Sequence, residues 1–161
     1  MPSEFTVAAL QADDEPAWRP LFEAYCRFYK VEPTAEKSAT VWRWLMDASH
    51  PLNGLGVRGG GHFGHLIGIA HVRAVPRTLS GAEGGFLDDL FVEPSMRSSG
   101  AAEALMNGIA AFARAKQWTN VRWWTADDNY RARNLYDRVA RKTPWNTYEL
   151  DPLDPRLGSY D

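Results

Sequence analysis

Two adjacent carboxylates, Asp88 and Asp89, interrupt an otherwise apolar run, FLDDLFV at 86–92. A charge placed in such a strand costs stability unless it is paired or put to use. Successive strand residues face opposite sides, so one of the two is expected to point into a covered face or a cleft. There it is either a proton acceptor or half of a local ion pair at a bulge. Shortly afterwards Arg97, Ser98, Ser99, Gly100, Ala101 and Ala102 form a turn of small residues ahead of a long helical pattern. Small side chains leave the first amides of a helix unobstructed at the positive end of its dipole, which makes an anion cradle. Arg97 adds a charged donor, and Gly100 permits close approach of a ligand to the backbone. The same segment also fits a plain capped loop, with Ser98 or Ser99 capping and Glu103 reciprocating. Further on, Asn129 is placed to cap a helix in which Tyr136 lies on the inward stripe beside Leu135. Its phenol is either a proton donor or an ordinary core hydroxyl.

Two other patterns promise less. Gly54, Gly56 and Gly59 spell GxGxxG, but a dinucleotide fingerprint needs a helix after the glycines, and here a turn at Gly59, Gly60 and Gly61 leads into another strand. His62, His65 and His71 share no helix face and are separated by the hairpin register, so no metal is expected.

These groups must be positioned by elements that the periodicity outlines. Residues 5–10 alternate as an edge strand. Trp18, Leu21, Phe22, Tyr25 and Tyr29 recur at helical spacing, predicting a helix to about Lys30 that is kinked or restarted at Pro20. Thr34 is suited to cap a second helix through Ala35, Trp42, Leu45 and Met46. Leu55 to Val75 reads as a hairpin, followed by a glycine-bearing loop from Arg77 to Gly85 and the strand 86–92. A helix from about Ser99 to Gln117 buries Leu105, Ile109 and Phe112. VRWWTA at 121–126 is a strand, in which Trp123 or Trp124 is placed to line a substrate groove. Ala132, Leu135, Tyr136 and Val139 form the next helical stripe, supported by an Arg133 to Asp137 pairing. TPWNTYEL at 143–150 is a last strand. Antiparallel hairpins followed by two strand-helix-strand crossovers make a mixed α/β (α+β) sandwich.

The 161 residues suit a single domain, 1–161, with a Pro- and Asp-bearing tail at 151–161. At 45% apolar and 24% charged the chain can bury a real core. A net charge of −2 gives no footprint for nucleic acid or anionic membrane, and no apolar run has spanning length, so the expected location is the cytoplasm. Cys26, the single cysteine, is expected to be a reduced, partly buried thiol. The charge is unevenly spread. Residues 1–96 carry 8 basic and 12 acidic side chains, 97–142 carry 9 and 4, and 143–161 carry 1 and 4. A basic segment within an acidic chain suggests two ligands of opposite sign.

The span VEPSMRSSGAAEALM resembles the acyl-CoA signature of the GCN5-related N-acetyltransferases, met by Arg97, Gly100 and Ala102. TADDNYRARNLYDRVA resembles that family's second signature, met by Asn129, Leu135 and Tyr136. The opening PAWRPLFEAYCRFY is similar to the Hpa2-like and diamine (spermidine/spermine) acetyltransferase branch, so the resemblance covers most of the chain. It implies a V-splayed mixed sheet of about six to seven strands flanked by four helices, with acetyl-CoA between the strands 86–92 and 121–126. It assigns the CoA site to Leu90, Phe91, Val92, Arg97, Ser98, Ser99, Gly100, Ala101, Ala102, Asn129 and Tyr136. Asp88 inherits the role of general base through a water, and Tyr136 that of general acid toward the departing thiolate. The charge partition, together with Asp88 and Asp89, points to a small cationic amine as acceptor, with Glu23, Glu32 and Glu36 of the acidic segment facing it, and the resemblance implies a homodimer. Two serines where the family is glycine-richer, and Glu103 one turn into the helix, are departures that bear on CoA affinity.

Overall fold

A computed structural model describes residues 5–59 and 64–156. Gly60, Gly61 and His62, where the sequence places the hairpin turn and one histidine, lie outside the described residues. The order is β1 (Phe5–Ala9), α1 (Glu15–Phe28), α2 (Ala35–Met46), β2 (Leu52–Gly59), β3 (His65–Arg77), β4 (Ala82–Val92), α3 (Ala101–Ala115), β5 (Val121–Arg122) and α4 (Tyr130–Val139). The strands form one sheet in sequence order, β1 to β4 antiparallel and β5 parallel to β4.

Alternation along the strands gives the sheet two apolar faces. One is covered by α1 and α2, where Trp18, Leu21, Phe22, Cys26 and Trp42 pack on Leu66, Ile69 and Phe91. The other is covered by α3, whose Leu105, Ile109 and Ala113 pack on Leu55, Val57, Val72 and Leu87, with Leu135 and Tyr136 of α4 at its margin. Each large apolar side chain buried in this way contributes about 1.5–3 kcal/mol. The glycines of the apparent fingerprint serve this packing. A Cβ at Gly54 would lie 2.6 Å from Leu10, and one at Gly56 would lie 2.4 Å from Leu66. Thr34 caps α2, accepting from the Lys37 amide at 3.2 Å, and Asn129 caps α4, accepting from the Ala132 amide at 3.3 Å.

Several expectations need correction. The sheet has five strands among the described residues, not six or seven. VRWWTA contracts to Val121–Arg122, and TPWNTYEL forms no strand: a strand needs an edge to pair with, and this segment meets none, leaving Trp145 and Tyr148 exposed. The second crossover is therefore not completed. The loop after β3 shrinks to 78–81 because β3 and β4 pair out to Arg77 and Ala82. Pro20 neither ends nor divides α1, which continues to Phe28 with Trp18, Leu21 and Phe22 holding it on the sheet. Arg133 donates to the Asp127 carbonyl at 2.5 Å instead of pairing with Asp137, which tightens the loop into α4. No helix among the described residues is long and apolar enough to cross a membrane.

Candidate active site

β4 and β5 pair only through Gly85 with Val121 and Phe86 with Arg122. Beyond Phe86, β4 runs on to Val92 without a parallel neighbour, so the sheet opens. The end of α1 and the starts of α3 and α4 border a cleft of about 750 Å³ there. Leu90, Phe91, Val92, Arg97, Ser98, Gly100, Ala102, Asn129 and Tyr136 all line it. Ser99 and Ala101 do not: the Ser99 hydroxyl donates to the Met96 carbonyl at 2.6 Å and accepts from the Ala101 amide at 3.3 Å, and Ala101 is buried in the core. Glu23, Glu32 and Glu36 are also absent from the lining. Arg131, Arg138, Tyr25 and Tyr29, which motif reading passed over, are part of it.

The anion-binding end is built by the turn into α3. Ser98 and Gly100 both adopt positive φ, +65° and +94°, and Gly100 is the helix cap and has no side chain, so of the first amides of α3 only that of Ala101 meets a side chain, the Ser99 hydroxyl. Three guanidiniums, Arg97, Arg131 and Arg138, line the same cleft. Arg131 donates to the Ser98 hydroxyl at 3.3 Å, tying α4 to the turn. Glu103, the carboxylate out of place in such a site, lies 3.6 Å from Arg138. That pair is more than half exposed and weak, but it leaves Glu103 no unbalanced charge. Room, open amides and three cations fit a polyphosphate-bearing ligand.

Midway along the opened edge, β4 bulges. His71 pairs with Asp89 and Val72 with Leu87, so Asp88 is the extra residue. The bulge cancels the alternation expected of adjacent residues. Arg73 and His71 are two apart on regular β3 and share a face, and each takes one carboxylate: Arg73 Nε is 2.9 Å from Asp88, and His71 Nδ1 is 2.7 Å from Asp89. Both aspartates therefore point to the α1 side, where the sequence put only one toward a cover. Their environments push them apart. Burial raises the Asp88 carboxyl above its ordinary value against the opposing pull of Arg73. For Asp89 burial again raises, but the hydrogen bond and charge of His71, with the Tyr25 hydroxyl, outweigh it and hold the carboxyl below the usual range. Asp88 lies beside an aromatic shelf, with Arg73 over the Phe86 ring and Phe86 edge-on to Trp124. Trp124 is 69% exposed, while Trp123 turns inward against Tyr136.

Tyr136 reaches the cleft from α4, its ring 5.2 Å from that of Trp123. Burial, with Tyr29 nearby, pushes its hydroxyl up to about 12, so the phenol stays protonated at neutral pH. Such a group can give a proton to a departing anion.

A model of the acetyltransferase (GNAT) family matches residues 18–140. The chain belongs to the GNAT family. Its sequence is 29% identical over 137 residues to the D-amino-acid N-acetyltransferase HPA3 of Saccharomyces cerevisiae, covering 85% of this chain and 84% of that protein. Its fold is similar to the ribosomal-protein-alanine N-acetyltransferase of Brucella melitensis biovar Abortus 2308 (TM-score 0.76, 23% identity, 91% and 98% of the two chains). It is also similar to the aminoglycoside acetyltransferase AAC(6')-Iy bound to a bisubstrate analogue (TM-score 0.77, 17% identity, 92% and 99%). GNAT acetyltransferases use acetyl-CoA as the acyl donor.

Proposed function

We propose that this GNAT protein transfers the acetyl group of acetyl-CoA to the primary amine of a small cationic acceptor of the diamine or lysine type, by direct attack. The observation that carries the reading is the cleft that joins an arginine-lined helix start to the end of β4 at Leu90 to Val92; Asp88 and Asp89 sit on the bulge just before it and are not among its lining residues. Arg97, Arg131 and the amides after Gly100 would hold the phosphates, and Leu90 to Val92 with Asn129 would hold the arm leading to the thioester. When bound, the donor supplies an activated acyl carbon and a sulfur leaving group. The chain's residues supply the protons. An ammonium has no lone pair, so Asp88, with its raised carboxyl, takes the amine's proton through a water. The nitrogen forms the new bond to the acyl carbon as the C–S bond breaks. Backbone amides at the bulge polarise the carbonyl, and Tyr136 donates its proton to the sulfur. The acylated nitrogen gives up its second proton to solvent, Asp88 releases the first one there, and Tyr136 takes one back.

The two carboxylates of the β4 bulge, Asp88 paired with Arg73 and Asp89 with His71, beside the aromatic pair Phe86 and Trp124, support a cationic acceptor in place of the glutamates of α1 and α2. The yeast relative, named for D-amino acids, makes an amino acid the second candidate. Thiol release from acetyl-CoA over diamines, lysine analogues, D-amino acids and aminoglycosides tests the reading. Diamines or lysine analogues should give the largest kcat/KM; preference for neutral or acidic acceptors overturns the class. The same reading includes a homodimer, supported by the exposed aromatic segment 143–150 and the unpaired outer edge of β5.

A further inference from the structure

Beside Asp88 stands an arginine that acetyl transfer as described leaves without a task. Arg73 meets Asp88 through Nε alone, which lies 2.9 and 3.2 Å from the two carboxylate oxygens. Its guanidinium is stacked over the Phe86 ring, 4.9 Å from the centroid, and Phe86 is edge-on to the exposed Trp124. One ion pair and one aromatic face thus fix the orientation of the fork. Among the described residues neither Nη of Arg73 has a hydrogen-bond partner, and 40% of the side chain's surface stays open. The free edge of a guanidinium matches a carboxylate bidentately. The neighbouring carboxylate is already engaged, since His71 Nδ1 stands 2.7 Å from Asp89 and Trp18 Nε1 donates to His71 Nε2 at 3.0 Å. Asp88 is therefore the carboxylate of the bulge left to an acceptor, and Arg73 comes with it.

That company decides what can bind. An ammonium drawn to Asp88 also approaches the guanidinium 2.9 Å from it, and a bare diamine brings nothing to offset the repulsion. An amine with a carboxylate one carbon away does offset it, because its ammonium faces Asp88 while its carboxylate faces Arg73. Two opposed charge pairs then lie side by side. We propose that Arg73 is a specificity-determining residue whose Nη edge binds the carboxylate of an α-amino acid acceptor, acetylated on its α-amine. The inference rests on the N-acetyltransferase reading and separates the lysine type from the diamine type within it. Asp88 and Arg73 touch, so only an amine next to the carboxylate reaches both. The side-chain ammonium of a lysine-type acceptor is served by the exposed ring of Trp124. A guanidinium already held on Phe86 loses little freedom when the carboxylate arrives, which suits arginine to this position better than lysine.

The test compares racemic lysine and lysinamide with 1,5-diaminopentane, which share a chain and differ in the carboxylate, and racemic phenylalanine with 2-phenylethylamine. Each is read twice, by thiol release from acetyl-CoA and by calorimetric titration of protein saturated with coenzyme A. In wild type, lysine should exceed lysinamide and 1,5-diaminopentane about tenfold in kcat/KM and in affinity, and NMR should show the Nα-acetyl product. Arg73→Gln disturbs Asp88 for every acceptor alike, so the readout is the ratio. The lysine preference should fall to within about twofold in Arg73→Gln, and Arg73→Lys should keep part of it. Lysinamide or 1,5-diaminopentane as good as lysine, a preference untouched by Arg73→Gln, acetylation at Nε, or binding of no acceptor overturns the inference. If 1,5-diaminopentane is the best acceptor, the cationic class stands and the role of Arg73 falls. If phenylalanine outruns lysine and its advantage over 2-phenylethylamine vanishes in Arg73→Gln, the cationic class falls and Arg73 stands. The expected binding ratios in a protein that releases no thiol sink the activity and leave the carboxylate site in place.

Discussion

Tyr136 enters the cleft with its hydroxyl protonated and its ring braced by Trp123, so trimming the oxygen alone separates chemistry from packing. Tyr136→Phe should lower turnover about 10²-fold while leaving the acetyl-CoA Kd unchanged, as read by rapid-quench kinetics and calorimetry. Full turnover in that variant, with chemistry rate-limiting, removes Tyr136 as the acid. The two aspartates are distinguished by pH. Asp88→Asn should lose rate mainly at neutral pH and recover partly at high pH, where the acceptor arrives unprotonated. Asp89 acts on stability with the opposite emphasis: its folded carboxyl lies below the unfolded one, so its contribution is present above the unfolded pKa and fades as pH falls through the folded value. Urea unfolding between pH 3 and pH 7 should therefore show a flatter acid limb for Asp89→Asn than for wild type. The charged pair was visible in the sequence as a break in an apolar strand, and Tyr136 as part of a helical stripe. Trp18 and His71 were not, because their hydrogen bond spans 53 positions and nothing local distinguishes either from ordinary core. The bulge that turns both carboxylates to one side was equally hidden, since it depends on the register of β3.

At the scale of elements, the start of α3 shows what a helix terminus can and cannot announce. The small-residue turn, the buried stripe Leu105 and Ile109, and the Asn129 and Thr34 caps were legible because each is local. The positive φ at Ser98 and Gly100 was not spelled out, and it decides how the cradle is tested. A bulky residue at Gly100 would strain the cap before meeting any ligand, and Gly100→Ala alone should cost about 1–2 kcal/mol in unfolding free energy. Arg131 is the cleaner probe: it binds Ser98 from α4, is exposed, and belongs to no core cluster. Arg131→Ala should weaken coenzyme A about tenfold and reduce the salt dependence of binding, with thermal stability nearly unchanged. Unaltered affinity places the phosphates elsewhere in the cleft. Arg131 was overlooked because its link to the turn crosses from α4 to the loop before α3, and motif spacing carries no sign of that.

For the whole molecule, the charge partition proved informative in one half only. The basic stretch 97–142 does supply Arg97, Arg131 and Arg138 to one cleft, but the carboxylate in its lining is Glu103 of that same stretch, and none comes from α1, α2 or the β4 bulge. The segment 143–150 stands outside the sheet. Its alternation reads as a strand, yet it pairs with nothing, and Trp145 and Tyr148 are 74% and 90% exposed. Beside β5 lies an apolar groove bordered by Ile109, Ala113, Trp118 and Val139. An unpaired strand edge next to an apolar groove, and an aromatic strand-like segment without an edge, are complementary features of one chain. Two copies exchanging them would bury both. Light scattering at tens of micromolar should give twice the chain mass, and removal of residues 143–161 should give the single mass with α3 and β4 still folded by circular dichroism. A monomer from the full chain would instead mean that 143–150 folds back onto its own β5, completing the six-stranded sheet that the alternation predicts.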